Sequence, residues 1–200
     1  MIKAIIFDYG GVLTFEGQFS QRFIDVFRSE FPGELKKSDE EIIRIIKSYW
    51  RLARTAEITA DEFFQKCASE IDCNKEDFEA VSMKCMSQLN KGMLELVKEL
   101  KSKYRIGLLS NHISKIIRNL IKMNKLDNLF DVVIISSEHS MFKPNADIYL
   151  KTAKMLNVKP EECIFIDDQE SNITGAREVN MKTILFKNKK DLDRQLKEML

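Results

Sequence analysis

The 200-residue chain carries 32 basic and 31 acidic side chains, and this near balance gives no electrostatic reason to expect a nucleic-acid partner. Its 44% hydrophobic and 32% charged residues exclude a disordered or fibrous chain. No apolar run reaches the roughly 18 residues of a membrane span, so no membrane association is expected. The four cysteines lack C-x-x-C spacing and no signal peptide is recognisable, which predicts a cytoplasmic protein with reduced thiols. We expect it to be a monomer or a homodimer.

The chain begins with an apolar run, Ile2–Phe7, that predicts a buried strand and leads directly to Asp8. Gly10 and Gly11 follow and end the strand. A buried carboxylate without a partner is strongly unfavourable. The sequence therefore predicts a metal ion, a lysine or a hydrogen-bonded network beside Asp8.

Residues 15–90 contain no strand-like run but several helix signals. Ser38 with Glu41, and Thr59 with Glu62, have the spacing of capping boxes. Four apolar stripes at helical spacing predict a four-helix insert directly after the first strand. We therefore divide the chain into a core of residues 1–14 and 91–200 and a helical cap domain of residues 15–90.

Four further apolar runs predict buried strands, and helical patterns such as "ISKIIRNLIKM" and "ADIYLKTAKML" lie between them. None of the runs alternates cleanly with polar residues, which is typical of a parallel sheet covered on both faces. Strand and helix in alternation predict an α/β fold with a doubly wound parallel sheet. These four predicted strands are Ile106–Leu109, Val132–Ile135, Ile164–Ile166 and Thr183–Phe186.

Polar residues follow the predicted strands at their carboxyl ends, where ligands bind to an open parallel sheet. Each of them has an ordinary structural explanation as a turn or cap residue, but their common position predicts one shared site. In chain order they are Asp8, then Ser110, Asn111 and His112, then Lys143 in the loop after the third strand, then Asp167 and Asp168 with Asn172 beyond.

Four motifs resemble those of the haloacid dehalogenase (HAD) superfamily, and the resemblance covers the whole chain. They are "IIFDYGGVL", "LLSN", Lys143-Pro144 and "IFIDDQESNITGA". The resemblance implies a Rossmann-like core with a type-1 helical cap inserted after the first strand. It also implies that Asp8 is a nucleophile that is transiently phosphorylated, with Mg²⁺ bound beside it. The expected activity is that of a Mg²⁺-dependent phosphomonoester hydrolase.

The resemblance assigns a role to each strand-end residue. Asp168 is favoured as a direct metal ligand and Asp167 as a group behind it near Lys143, although the reverse assignment is open. Asn172 is expected to orient the acidic loop. The implied catalytic residues are Asp8, Lys143 and Ser110; the implied substrate-binding residues are Ser110, Asn111, Lys143, Gly11 and Arg54; the implied metal ligands are Asp8, the Gly10 carbonyl, Asp168 and Asp167.

The chain departs from most phosphatases of the superfamily at Gly10, where they carry a second aspartate that protonates the leaving alcohol. General acid–base help is worth about 10²–10⁴-fold in rate. His112 and Thr14 are candidate replacements, and His112 is alternatively a cap or surface residue of the next helix. Three functions stay open: a phosphatase, a metal-independent 2-haloacid dehalogenase, and a catalytically weakened domain that binds a phosphorylated ligand or a partner protein.

The segment "YWRLARTAEIT" is expected to reach over the site from the cap. Arg51 and Arg54 could hold a second anionic group, or could simply be solvated. Trp50 could stack on a sugar ring, as Tyr49 could, or belong to the apolar stripe of the cap. Phe15 and Phe19 are expected at the hinge between cap and core. A cap of this type predicts a small phosphorylated metabolite as substrate, with sugar phosphates among the candidates.

Overall fold

A single parallel sheet forms the centre of the described part of the chain. The computed structural model describes residues 1–14 and 19–200, and the sheet order is β3-β2-β1-β4-β5. Strand β1 pairs with β2 on one side and with β4 on the other, so it is the central strand. The strands are β1 (Ala4–Phe7), β2 (Arg105–Ser110), β3 (Val132–Ile135), β4 (Cys163–Asp167) and β5 (Lys182–Leu185).

Helices cover both faces of this sheet. Side chains alternating along β1 point into two separate apolar clusters, Ile5 and Phe7 into one and Ala4 and Ile6 into the other. All four residues are fully buried, which explains why the strand lacks a polar face. The predicted doubly wound α/β fold is confirmed.

Ten α-helices and one 3₁₀ turn (Pro160–Glu162) lie in the described ranges, and in these ranges no helix is both long enough and apolar enough to span a bilayer. The helices are α1 (Phe19–Glu30), α2 (Asp39–Arg54), α3 (Ala60–Ile71), α4 (Lys75–Met86), α5 (Lys91–Lys101), α6 (Ser114–Met123), α7 (Ser136–His139), α8 (Ala146–Met155), α9 (Glu170–Glu178) and α10 (Lys189–Met199).

Helices α1–α4 form the predicted insert between β1 and β2. Both expected capping boxes are present, since Ser38 and Thr59 accept hydrogen bonds from Glu41 N and Glu62 N at the starts of α2 and α3. Aromatic rings pack the interior of the insert; those of Phe23 and Phe78, for example, have centroids 4.6 Å apart.

The segments before and after the insert lie side by side. Thr14 and Leu89 form an antiparallel bridge, and Asn90 N donates to Leu13 O at 2.8 Å. These contacts lie next to the expected boundaries at residues 14 and 91, but the division into core and cap stays a prediction. Of the two residues expected at the hinge, Phe15 lies outside the described residues.

Some element boundaries differ from those expected. β1 begins at Ala4 rather than Ile2, and Ser110 and Asp167 are the last residues of their strands rather than the first residues after them. The short helix α7 replaces the start of the loop expected after β3. The C-terminal helix α10 buries Leu192 and Leu196 and is therefore only partly solvated.

We predict opposite effects for two helical glycine-to-alanine substitutions. A Cβ on Gly175 of α9 would overlap the backbone carbonyl of Pro144, whereas one on Gly92 of α5 would lie at ordinary contact distances, 3.4 Å from Lys189 Cδ and 3.6 Å from Asn90 Oδ1. Gly175→Ala should therefore lower the free energy of unfolding by roughly 1–3 kcal/mol. Gly92→Ala should raise it by up to about 1 kcal/mol through helix propensity. Urea unfolding of both variants checks this, and equal effects would show that α9 does not pack on the Pro144 loop as described.

Candidate active site

The side chain of Lys143 joins two buried carboxylates at the carboxyl edge of the sheet. Its Nζ lies 2.8 Å from Asp8 Oδ1 and 2.6 Å from Asp167 Oδ2. Asp8 follows the central strand and Asp167 ends the neighbouring one, while Lys143 comes from the loop after α7. All three side chains are less than 10% exposed. The partner that the sequence requires for Asp8 therefore includes this lysine.

Asn111 fixes the backbone of the lysine. Its side-chain Nδ2 donates to Lys143 O at 2.8 Å, and Lys143 N donates to Asn111 Oδ1 at 2.9 Å. The Phe165 ring lies 5.4 Å from the Lys143 ammonium, measured to the ring centroid. Asn111 is expected to bind substrate, but both polar atoms of its side-chain amide are already bonded to the Lys143 backbone.

The two adjacent aspartates have different surroundings. Asp167 is fully buried and accepts hydrogen bonds from Lys143 Nζ, from Gln169 N at 2.8 Å and from Asn172 Nδ2 at 3.0 and 3.1 Å. Asp168 lines the cavity beside Asp8, and its carboxylate lies so close to Gly11 that a Cβ on Gly11 would overlap it. Asn172 therefore orients Asp167, while Asp168 faces the cavity.

Burial and charge set the protonation of this cluster. The pKa of Asp8 is raised to about 7; burial is the largest cause and the carboxylates Asp167 and Asp168 add to it, while the Lys143 ammonium acts in the opposite direction. Burial disfavours the charged form of Lys143, but Asp8 and Asp167 outweigh that effect and raise the pKa of the lysine. Asp8 and Asp167 share the single ammonium of Lys143, so the pair favours a further cation beside it.

The carboxylates could supply that cation with a suitable set of ligands. One oxygen from each of Asp8, Asp167 and Asp168 lies within 4.8 Å of the others. Carboxylate and carbonyl oxygens are the donors that Mg²⁺ prefers. The chemistry and spacing of this oxygen cluster therefore fit a magnesium ion.

A cavity of about 250 Å³ opens onto Asp8. Its walls come from the loops at the sheet edge and from the insert. Of the predicted site residues, it is lined by Asp8, Gly10, Gly11, Arg54, Ser110, Asn111, His112, Lys143, Asp168 and Asn172. The insert contributes Phe19, Arg22, Trp50, Arg54, Cys85 and Met86.

His112 is buried under the insert rather than exposed on the surface. Its ring makes edge contacts with Trp50 and Tyr9, at centroid distances of 4.5 and 6.1 Å. Its Nδ1 lies 2.9 Å from Ile113 N and 3.3 Å from Ile113 O, so it accepts from the amide or donates to the carbonyl according to the tautomer. Burial lowers the pKa of His112 to about 4. The imidazole is therefore neutral at pH 7.

Thr14 has a bracing role in the loop after β1. Its hydroxyl donates to Tyr9 O and accepts from Gly11 N, both at 3.3 Å. Gly10 lines the cavity, and a Cβ added there would have no heavy atom within 4 Å. The position that carries an acid in most related phosphatases is therefore open space here.

Two residues that sequence reasoning did not select belong to the surroundings of the cavity. Arg22 of α1 lines it, next to the apolar stripe of its helix. Ser136 directly follows β3 and is fully buried; its hydroxyl accepts from His112 N at 3.0 Å and donates to Arg54 O at 2.6 Å. Its strand-end position was a usable signal, whereas the sequence holds no comparable signal for Arg22.

The other cap candidates divide into two groups. Trp50 lines the cavity and also packs against Phe19 and Phe63, with centroid distances of 5.9 and 5.7 Å. It therefore belongs both to the cavity wall and to the apolar interior of the insert. Arg51 is exposed, and Tyr49 donates its hydroxyl to Glu70; neither lines the cavity.

Comparison with known proteins agrees with this geometry. Residues 2–180 match the family described as haloacid dehalogenase-like hydrolase. Among solved structures, a HAD family enzyme from Bacteroides thetaiotaomicron is similar, with a TM-score of 0.81, 24% identity and 98% of both chains covered. A wild-type structure of that enzyme, with magnesium and inorganic phosphate, gives a TM-score of 0.73 at 23% identity, covering 96% of this chain and 99% of that one. A structure of the L-2-haloacid dehalogenase from Xanthobacter autotrophicus gives 0.67 at 20% identity, covering 99% of this chain and 83% of that chain.

Sequence relatives include pyrophosphatases named PpaX. The protein from Bacillus thuringiensis (strain Al Hakam) is 22% identical over 184 residues, covering 91% of this chain and 82% of the relative. The protein from Bacillus mycoides is 32% identical over 91 residues, covering 45% of this chain and 42% of the relative.

We predict that neutral His112 makes the folded protein sensitive to acid. Its pKa is about 4 when folded and about 6.5 when unfolded, so between these values the unfolded chain binds more protons. The stability that depends on neutral His112 is present above pH 6.5 and is lost as the pH falls. From pH 7 to 5, wild type should lose about 2 kcal/mol of unfolding free energy relative to His112→Gln.

Urea unfolding of both proteins at several pH values measures this difference. The comparison between them is needed because the raised pKa of Asp8 changes stability with the opposite sign, and Asp8 is present in both. If the difference in unfolding free energy between wild type and His112→Gln does not change with pH, the His112 ring binds a proton as readily in the folded protein as in the unfolded chain.

Proposed function

We propose that this protein, which belongs to the haloacid dehalogenase-like hydrolases, is a Mg²⁺-dependent phosphomonoester hydrolase that acts on a small phosphorylated metabolite through a phosphorylated Asp8. The observation that carries the proposal is the buried cluster in which Lys143 joins Asp8 and Asp167 while Asp168 faces the same cavity. The hydrolase class and a phosphatase-type activity follow from the family and its relatives.

Asp8 is the nucleophile in this proposal. One of its carboxylate oxygens forms a bond to phosphorus while the bond from phosphorus to the leaving oxygen breaks, and the leaving alcohol takes up a proton. A water molecule then attacks phosphorus, which restores the Asp8 carboxylate and releases inorganic phosphate. Lys143 offsets negative charge on Asp8 and on the phosphoryl group, and Ser110, at the end of β2, donates a hydrogen bond to a phosphoryl oxygen.

Magnesium would be held by Asp8, Asp168 and the Gly10 carbonyl. When bound, the ion reduces the repulsion between the carboxylate nucleophile and the phosphate dianion. Asp167 is the weaker candidate for direct contact because Lys143, Gln169 and Asn172 already occupy its oxygens. Its proposed role is to hold Lys143 and to add negative charge behind the metal ligands.

The leaving group receives little help from a protein acid in this proposal. Gly10 has no side chain, and a neutral His112 with a pKa near 4 is a poor proton donor at pH 7. We assign His112 a positioning role under Trp50 and Thr14 a bracing role in the loop. Substrates with good leaving groups, including anomeric or acyl phosphates and pyrophosphate, suit such a site best.

The size of the cavity limits the substrate. Its volume of about 250 Å³ is below the roughly 300–1,000 Å³ of pockets that hold drug-sized ligands. A small metabolite fits this volume, and sugar phosphates are among the candidates.

Asp8→Asn should abolish a metal-dependent activity. With a generic aryl phosphate as substrate, we expect wild type to turn over with Mg²⁺ and to stop in EDTA, and the variant to lose at least about 10³-fold in kcat. Asp127→Asn, at an exposed position, is the matched control and should keep wild-type activity. Circular dichroism of each variant reports whether the fold is retained.

Two results would contradict the phosphatase proposal. Turnover that persists in EDTA excludes the metal dependence, and a 2-haloacid assay without metal then tests the dehalogenase alternative. Absence of turnover of aryl phosphate, sugar phosphates and pyrophosphate favours a binding domain instead.

Gly10→Asp should supply the missing acid. An added side chain meets open space, and the backbone at Gly10 does not have the positive φ found at Gly11. We expect turnover of alkyl phosphates, which have poor leaving groups, to rise at least tenfold, while that of aryl phosphates changes little. Gly10→Asn is the control of equal size without a titratable group. Equal effects of the two substitutions would show that the gain, if any, is not acid catalysis.

A further inference from the structure

Two guanidinium groups of the insert line the cavity and have no acidic partner among the residues that the structure describes. Arg22 of α1 and Arg54 of α2 both line it, and neither forms an ion pair with any described residue. Arg22 Nη1 donates only a long bond, 3.4 Å, to Cys85 O. Arg54 Nε is buried and has no hydrogen-bond partner in the described part of the chain. Buried polar groups of this kind normally have partners.

The cations of the cavity are not equivalent. The charge of Lys143 is shared between Asp8 and Asp167, so it is already balanced before a substrate arrives. Within residues 1–14 and 19–200, no carboxylate balances the charge of Arg54 in this way. A phosphoryl group placed at Asp8 would be held by Lys143, Ser110 and the metal, and this leaves Arg54 to interact with another part of the substrate.

The backbone of Arg54 is fixed to the sheet. Arg54 is the last residue of α2, and its carbonyl accepts the Ser136 hydroxyl hydrogen bond at 2.6 Å. The same Ser136 oxygen accepts from His112 N at 3.0 Å, and His112 follows Ser110 and Asn111 at the end of β2. The insert and the end of β2 are therefore joined through one buried hydroxyl, which positions Arg54 relative to the site.

We propose that Arg54 is a specificity-determining residue that binds a second anionic group of the substrate, a carboxylate or a second phosphate. The preferred substrate is then a small phosphomonoester or diphosphate with two separate negative groups. This inference rests on the proposed function for the position of the first phosphoryl group. A guanidinium offers a planar pair of donors that matches either anion, and Arg22 adds positive charge to the same cavity.

Binding of stable phosphonates tests this without turnover. In excess Mg²⁺, calorimetry compares phosphonoacetate and methylenediphosphonate, which carry a second anion, with propylphosphonate, which does not. We expect wild type to bind at least one of the two compounds that carry a second anionic group about tenfold or more tightly than propylphosphonate, and the tighter of them identifies that group. Arg54→Met should remove this preference while leaving the affinity for propylphosphonate within about twofold.

Two further variants separate charge from general disturbance. Arg54→Lys keeps the charge but not the planar fork and should retain part of the preference. Arg51→Met removes an exposed arginine from the same turn of α2 and should leave the preference unchanged. A preference that is absent in wild type, or that survives in Arg54→Met, overturns the inference.

Aryl phosphate hydrolysis, measured on the same proteins, distinguishes this failure from failure of the proposed function. Normal Mg²⁺- and Asp8-dependent hydrolysis without a phosphonate preference rejects only the second-anion site. If hydrolysis is absent and none of the phosphonates binds, the proposed function fails and the inference fails with it.

Discussion

The contact of Lys143 with Asp8 and Asp167 is the interaction on which the rest of the site depends. Three buried charges can persist only if each has a partner, and a single ammonium provides one for both carboxylates. Several neighbours hold Lys143 in place. Asn111 bonds the lysine backbone and Asn172 orients Asp167. Gly175 allows α9 to pack closely on the carbonyl of Pro144, the residue after the lysine.

The order of the sheet explains why distant parts of the sequence meet here. Strand β1 is central, so Asp8 has β2 on one side and β4 on the other, and the carboxyl ends of all three lie at one edge. Ser110 and Asp167 close those neighbouring strands, and the lysine arrives from the loop beyond β3. The insert then covers this edge from above Asp8, where Trp50 rests on His112.

The strand-end residues could be predicted from the sequence because an isolated acid after a buried strand requires a partner. Polar residues that follow the other strands of a parallel sheet lie at the same edge, so they are the candidates for that partner. The helical insert could be predicted from capping boxes and apolar stripes, because these are local features of the sequence. Sequence reasoning passed over Ser136, although this residue also follows a strand directly, and the partners of its hydroxyl, His112 N and Arg54 O, are fixed only by the tertiary fold. The clamp by Asn111 was missed for the same reason: its partner is a backbone 32 residues away.

The free energy that a general acid at position 10 would contribute can be compared with the binding energy that Arg54 can supply. General acid help is worth about 10²–10⁴-fold, or roughly 3–5 kcal/mol. Hydrogen bonds to a charged group contribute about 1.5–3 kcal/mol each, so a bidentate contact of Arg54 with a substrate anion is of comparable size. Such binding energy accelerates the reaction only if it holds the phosphoryl group in line with Asp8 or strengthens as the bond breaks. An arginine whose backbone is anchored to the sheet edge meets the first condition better than a solvated one, because its position is set before the substrate binds.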